Sequence, residues 1–476
     1  MQIRLRTTAP RPGEAVALPI RQGAVLPEAF AAQIAAARFA GKAGTALALF
    51  TPDPVILAGA GAGVSLLDYE RAGGAAIAVL GEATALVLDA RGLKPAQAAA
   101  FAAGAMLRGA AQHVIRSAPV DRPAPRVELL TSDRLGAILP WHAAEASVRG
   151  ALYARDLVTA PANHLTPATF AARLRALEAH GIQVRVMGPK QLRRRGFGAL
   201  SAVGREAASG PRLVTLRWKG TLNARPVAFI GKGLCFDTGG ISIKPAAGME
   251  EMRADMAGAA ACAGAMLALA LRRSPAPAVA ILAIAENATG GASYRPGDVL
   301  RTLSGRTVEV IDTDAEGRLV LADALHKARQ HRPQAMIDLA TLTGSIVTAL
   351  GHHRAGVFGN DPPLAAALVA AGAAVGEPLW PMPIGARHRE DLNSDIADIR
   401  QCAPAGSGAF GGRLLPDASH AAAFLREFAG PLPWAHLDIA GVEMRPEADA
   451  LGPKGATGFG ARLLDRLVAM RFEEER

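Results

Sequence analysis

Two segments of this chain gather carboxylates and cations densely enough to do chemistry. The sequence GKGLCFDTGGISIKP presents Lys232, Asp237 and Lys244, and MEEMRADMAG presents Asp255 just ahead of a long apolar run. Further along, DTDAEGRL presents Asp312, Asp314, Glu316 and Arg318. Carboxylates crowded into one cleft repel each other, and desolvation makes the repulsion costly, so either some are protonated or cations compensate. Two divalent metals about 3.5–4 Å apart and bridged by carboxylates would remove the repulsion and lower the pKa of a bound water. No histidine lies in either segment, so the ligands would be rich in oxygen, which suits Mg²⁺ or Mn²⁺ as well as Zn²⁺. Against this stands a plainer reading. A single Asp after a strand is more often a turn or capping residue, and Asp314 and Glu316 could simply favour a helix dipole. Spacing alone leaves the two balanced.

Other chemistries find less support. GxSxG occurs nowhere, so a serine-hydrolase elbow is missing. Cys235 has no histidine nearby in sequence and reads as a buried thiol. The glycine-rich GKGLCFDTGG lacks the GxxxxGK[ST] order of a phosphate loop.

Such residues act only if a fold brings them together. Beyond residue 180, apolar stretches at 183–186, 212–218, 227–230, 279–285, 307–311, 335–339 and 436–439 read as strands, and 255–271, 317–330 and 420–428 as helices. Short apolar strands between helices predict an α/β fold with a mainly parallel or mixed sheet flanked by helices. Ligands in such sheets sit beyond the carboxyl ends of strands, which places the site where 227–230 and 307–311 end. Thr166 ahead of Pro167 marks a helix start. The first 125 residues alternate short apolar runs with Ala-rich helical stretches, predicting a smaller N-terminal α/β domain with a scaffolding or assembly role. A proline-bearing connection at 117–126 and a helical linker within 126–155 lead into a catalytic domain over 156–476.

At 476 residues the chain exceeds one ordinary core, so more than one domain is expected. Its composition, 50% apolar and 20% charged, is that of a well-packed soluble protein. The net charge of +10 is scattered, and the one tight cluster, Lys190, Arg193, Arg194 and Arg195, suits a solvated face as well as a nucleic acid. Three distant cysteines exclude a disulfide framework and predict a reducing compartment. The N-terminal residues lack an apolar core of signal-peptide length, and the run Ala257–Leu271 falls short of the ~20 residues that span a bilayer. A cytoplasmic protein without a membrane segment is expected.

Read at full length, GKGLCFDTGGISIKPAAGMEEMRADMAGAA and DTDAEGRLVLADAL closely resemble the signature segments of the leucyl (cytosol) aminopeptidases. RDLVTAPANHLTP, SYRPGDVL, DLATLTG, SDIADI, WAHLDIAGV and ATGFGARLL continue the match in the same order, over residues 150–467. The resemblance implies a metallo-exopeptidase that removes an apolar, Leu-like residue from peptides with a free N-terminus, using a water activated by two metals. It implies two divalent ions per subunit, Mn²⁺ or Zn²⁺. Lys232, Asp237, Asp255 and Glu316 would hold the tighter ion, and Asp237, Asp314 and Glu316 the more exchangeable one. Lys232 would ligate as a neutral amine, its pKa depressed by the dications. Lys244 would stay protonated and stabilise the tetrahedral intermediate. Arg318 would hold a bicarbonate ion, and Met252, Thr341 and Gly344 would line the pocket for the N-terminal side chain. A homohexamer is implied as well, and DNA binding, known for some bacterial members, is the alternative role that the basic charge allows.

Two departures from that pattern matter. Asp312 stands where the family usually has Asn, adding a carboxylate that would alter metal preference or the pKa of the bound water. Residues 406–420 do not align with the family, which leaves the rim of the cleft, and hence specificity, open.

Overall fold

The computed structural model describes residues 1–26, 28–49, 51, 53–110, 115, 117, 124–403 and 417–474. The family-divergent stretch 406–420 falls largely outside them, as does most of the connection at 117–126. The chain divides into two compact units, one of Met1–Val148 with Arg445–Gly455, the other of Arg149–Met444 with Ala456–Arg476.

The first unit is built on a six-stranded sheet of β1 (Ile3–Arg6), β2 (Ala15–Ile20), β3 (Ala46–Leu49), β4 (Val55–Gly59), β5 (Ala85–Asp89) and β6 (Arg126–Leu130), in the order β1-β6-β5-β2-β4-β3. All neighbours run parallel except β3 and β4. The helices Leu66–Ala78 and Pro95–Gly109 explain the abundance of small residues. A Cβ on Gly104 would lie 1.6 Å from the Glu70 carbonyl oxygen, so the two backbones approach as closely as they do only because Gly104 has none.

The second unit carries β7 (Gln183–Met187), β8 (Arg212–Trp218), β9 (Val227–Asp237), β10 (Ala278–Asn287), β11 (Val299–Arg301), β12 (Thr307–Glu309), β13 (Met336–Ala340), β14 (Ala355–Gly359), β15 (Leu379–Pro381), β16 (Ile399–Arg400) and β17 (Trp434–Asp438). Eight of them form one mixed sheet, β15-β14-β17-β13-β9-β10-β8-β7. Its centre, β17-β13-β9-β10, is parallel, and antiparallel neighbours close it on either side. Near-continuous apolar runs in these central strands fit burial on both faces. The helix Ala257–Leu271 is buried at every position from Ala257 to Ala270. By length and composition Met249–Leu271 would pass for a bilayer span, but 94% of its most apolar stretch is buried in the protein, as in a core helix.

Two sequence expectations need correction. The strand expected at 227–230 runs on to Asp237, because Gly231 and Gly233 keep it pairable: a Cβ on Gly231 would meet the Ala259 Cα at 2.5 Å, where the buried helix presses on the sheet. Lys232 and Asp237 therefore lie on the strand, not beyond it. The strand expected at 307–311 belongs to a separate three-stranded sheet, β11-β12-β16, because Val308 and Glu309 pair with Ile399 and Arg400. None of the three cysteines forms a disulfide among the described residues, and Cys235 and Cys262 are buried.

Candidate metal centre

In regular β structure, residues five apart point to opposite faces, so Lys232 and Asp237 should not meet. They share a face because β9 carries an extra residue. Leu234 pairs with Ala285 but Asp237 with Asn287, three steps on one strand against two on the other. Such a bulge re-aims every side chain beyond it. The remaining carboxylates arrive from three other directions. Asp255 follows the short 3₁₀ helix Met249–Ala254, Asp314 closes the turn after β12, and Glu316 opens the helix Glu316–Arg329.

The groups converge. One oxygen each of Asp237, Asp255 and Glu316 lie within 4.8 Å of one another, and all three residues are buried. The Lys232 ammonium is 2.8 Å from Asp255 Oδ1 and 3.1 Å from Glu316 Oε1, and it donates to the Thr341 carbonyl at 2.8 Å. Lys244 Nζ lies 2.9 Å from Asp237 Oδ2 and also pairs with Asp314. The lysines differ in access: the Lys232 side chain is 3% exposed and that of Lys244 20%.

Four carboxylates thus face two ammonium groups, and the electrostatics show the deficit. Burial, reinforced by repulsion from Asp237, pushes the Glu316 carboxyl up to about 8 against the pull of Lys232. Burial, partly countered by Lys232, raises Asp255 to about 6. Asp314 is raised by burial and by Asp237, with Asp312 adding to the repulsion. Burial alone would lower both lysines, but the carboxylates around them hold Lys232 and Lys244 above the ordinary lysine value. The second oxygens of Asp255 and Glu316 are buried and have no hydrogen-bond donor among the described residues. Leaving a buried carboxylate oxygen without a donor is expensive. A carboxylate-rich set of this kind fits a hard divalent cation.

Several residues that fix the site were missed in the sequence. Asn287 is fully buried and donates from Nδ2 to Asp237 Oδ1 at 2.8 Å and to the Thr313 carbonyl at 3.0 Å. Thr313 Oγ1 donates to the Gly239 carbonyl and accepts from the Ser242 amide, both at 2.7 Å, and the Tyr294 hydroxyl donates to the Thr313 carbonyl at 2.8 Å. These bonds sew the turn after β9 to the turn after β12. One signal was available, since Asn287 is the polar residue ending the apolar run of β10.

The other expected site residues spread more widely. Arg318 is buried but bonds none of the four carboxylates. Its guanidinium donates to Asp417 Oδ1 at 2.8 Å and to the Gln401 carbonyl at 3.1 Å. Thr341 meets the cluster directly, donating from Oγ1 to Asp255 Oδ1 at 2.7 Å. The Met252 carbonyl accepts the Asp255 amide at 3.2 Å and so shapes the turn that delivers it. Gly344 begins the helix Gly344–Leu350 and faces open space, with nothing within 4 Å of where a Cβ would stand. Asp312 is buried, and its Oδ1 accepts the Asp314 amide at 3.0 Å, which shapes the turn that presents Asp314.

Comparison with known proteins gives one consistent answer. Residues 152–465 match the description "Cytosol aminopeptidase family, catalytic domain". A Rhizobium etli protein named "Probable cytosol aminopeptidase" is 44% identical over 455 residues, 92% of this chain and 90% of that one. A Rhizobium meliloti protein of the same name is 43% identical over the same shares. Among solved structures, the bottromycin maturation enzyme BotP in complex with Mn superposes with a TM-score of 0.85 at 33% identity, covering 96% of this chain and 99% of that one. A cytosol aminopeptidase from Coxiella burnetii gives 0.84 at 29% identity, covering 98% and 99%.

Proposed function

From the premise that the chain belongs to the cytosol aminopeptidase family, and is accordingly a metal-dependent peptidase, we propose that its buried acidic cluster holds two divalent cations and cleaves single residues from peptide N-termini. The observation that carries the reading is the pair of buried, donorless oxygens on Asp255 and Glu316, beside a Glu316 carboxyl pushed up to about 8. Lys232, Asp237, Asp255 and Glu316 would hold one cation, and Asp237, Asp314 and Glu316 the other. When bound, the cations supply Lewis acidity, lowering the pKa of a water and polarising the scissile carbonyl.

The chain's own residues then have distinct tasks. Lys232 and Glu316 have to give up their protons to act as ligands, so loading couples to proton release. Lys244 is the more accessible of the two lysines and stays charged, which suits it to stabilise negative charge developing on the substrate oxygen. Buried Arg318 offers a fixed positive charge for a small anion such as bicarbonate. Met252, Thr341 and the open Gly344 are proposed to bound the pocket for an apolar, Leu-like N-terminal side chain. Mn²⁺ is supported by the manganese complex of the solved relative, with Zn²⁺ as the other choice. A cytoplasmic homohexamer completes the reading, the compartment following the relatives' names.

The test is hydrolysis of Leu-p-nitroanilide after thorough chelation and after adding back Mn²⁺, Zn²⁺, Co²⁺ or Mg²⁺ singly. Loss on chelation and return with at least one ion supports the proposal. Activity indifferent to metal removal ends it.

A further inference from the structure

A carboxylate outside the cluster has no part in the roles assigned so far. Asp438 ends β17, is fully buried, and sits beside Ala340, the last residue of β13. Its Oδ1 accepts the Leu342 amide at 3.0 Å and the Ala440 amide at 3.3 Å, and its Oδ2 accepts the Thr343 hydroxyl at 2.7 Å. Only Thr341, Leu342 and Thr343 separate β13 from the helix Gly344–Leu350, so one carboxylate anchors two of the three connecting residues. The third, Thr341, reaches the cluster twice, offering its carbonyl to Lys232 and its hydroxyl to Asp255. Thr343 in turn caps the following helix by accepting the Ile346 amide at 3.3 Å.

Behind Asp438, on the same face of β17, stand His436 and Trp434, two and four residues back. His436 Nδ1 lies 2.5 Å from Asp338 Oδ1, and Trp434 Nε1 donates to Asp338 Oδ2 at 2.6 Å. A charged group inside a sheet core costs desolvation free energy unless it is bonded and paired. Burial raises the Asp438 carboxyl above the ordinary aspartate range, and the three donors together with the neighbouring His436 offset only part of that cost.

We infer that Asp438 is a positioning residue for the cation site: by holding Leu342 and Thr343, it fixes Thr341 where it orients Lys232 and Asp255. The hydrogen bonds of Asp438 go to Leu342, Thr343 and Ala440 and to none of the proposed ligands. The inference rests on the proposed metal reading for its effect on cation binding, but its local structural claim does not.

The experiment pairs two readouts on Asp438→Ala, Asp438→Asn, Thr343→Val and Thr343→Ser. In metal-free full-length protein, amide exchange of the peptide covering Leu342 should rise at least tenfold in Asp438→Ala and remain at the parent rate in Thr343→Ser, which keeps the hydroxyl. By calorimetry, Mn²⁺ affinity at the tighter site should fall about tenfold in Asp438→Ala, less in Asp438→Asn, and be unchanged in Thr343→Ser. If Asp438→Ala does not fold, Asp438→Asn and Thr343→Val carry both measurements. Parent-like exchange and parent-like Mn²⁺ affinity in the folded variants overturn the inference, as does faster exchange with unchanged affinity. A parent protein that binds no Mn²⁺ overturns the metal reading instead, and with it the claimed effect on cations, leaving exchange to decide whether Asp438 holds Thr341.

Discussion

Lys232 and Glu316 face each other at 3.1 Å inside the catalytic unit, with side chains 3% and 2% exposed. Burial and Asp237 raise the Glu316 carboxyl against the pull of Lys232, while Asp255 and Glu316 hold Lys232 charged against the effect of burial. Without cations, Glu316 keeps its proton up to about pH 8 and Lys232 remains an ammonium. Cation binding near neutral pH should therefore release at least one proton per chain. Calorimetric Mn²⁺ titrations in buffers of different ionisation enthalpy will measure it. A heat independent of the buffer would contradict this pairing.

The same shifts predict an unusual pH dependence for the metal-free protein. Glu316 is raised to about 8 and Asp255 to about 6, and burial raises Asp323 and Glu443 to about 7. Unfolding returns all four to the ordinary carboxylate range, so between about pH 4.5 and 8 the folded state binds more protons than the unfolded one. Stability from these groups must fall as pH rises through that window. The raised lysines act only above their ordinary value near 10.5, outside it. Chelated protein should melt higher at pH 6 than at pH 8, and excess Mn²⁺ should shrink the difference. A chelated protein more stable at pH 8 would be evidence against the cluster as described.

Asp312→Asn should keep the fold and the activity. The Oδ1 of Asn can accept the Asp314 amide as Asp312 does, so the turn survives. What disappears is a negative charge that adds to the repulsion on Asp314. The expected result is retained Leu-p-nitroanilide hydrolysis with an altered Mn²⁺ affinity or a shifted pH–rate profile. Superimposable titrations and profiles for the two proteins would remove any special role for Asp312.

Gly231→Ala tests the packing that lets β9 run on as far as Asp237. The added methyl would meet the Ala259 Cα at 2.5 Å and its amide nitrogen at 2.8 Å, backbone atoms that cannot swing aside. Overpacking of this kind costs about 1–3 kcal/mol, and the displaced strand carries Lys232. Denaturant melts of the metal-free variant should show that loss, with weaker Mn²⁺ binding alongside. An unchanged midpoint would mean that the helix yields freely.

Much of this site was legible in the sequence because its charged residues stand in short, distinctive segments. The central strands were legible as well, since runs such as 227–230 and 279–285 are too apolar for any place but the middle of a covered sheet. What stayed hidden depends on pairing between distant segments. The bulge that turns Asp237 toward Lys232 exists only in the register of β9 against β10. Asn287 is an ordinary strand-ending amide until that register sets it opposite Asp237. Residues 307–311 look like a core strand, yet they pair with the neighbouring 299–301 and with 399–400, so they join a small separate sheet instead of the central one. Thr341 reads from sequence as a pocket residue, and its bond to Asp255 is not legible there, nor is the bond from the next residue's amide to Asp438, some hundred residues away.

The most direct test of the two-cation account is to count Mn²⁺ bound per chain while following Leu-p-nitroanilide hydrolysis, in the parent protein and in Glu316→Gln. The account predicts no activity in the chelated parent, hydrolysis that appears as the chain loads toward two ions, and a Glu316→Gln protein that binds fewer ions and turns over at least ~100-fold more slowly. Full activity with no ion bound, or a Glu316→Gln variant as active as the parent, would contradict it.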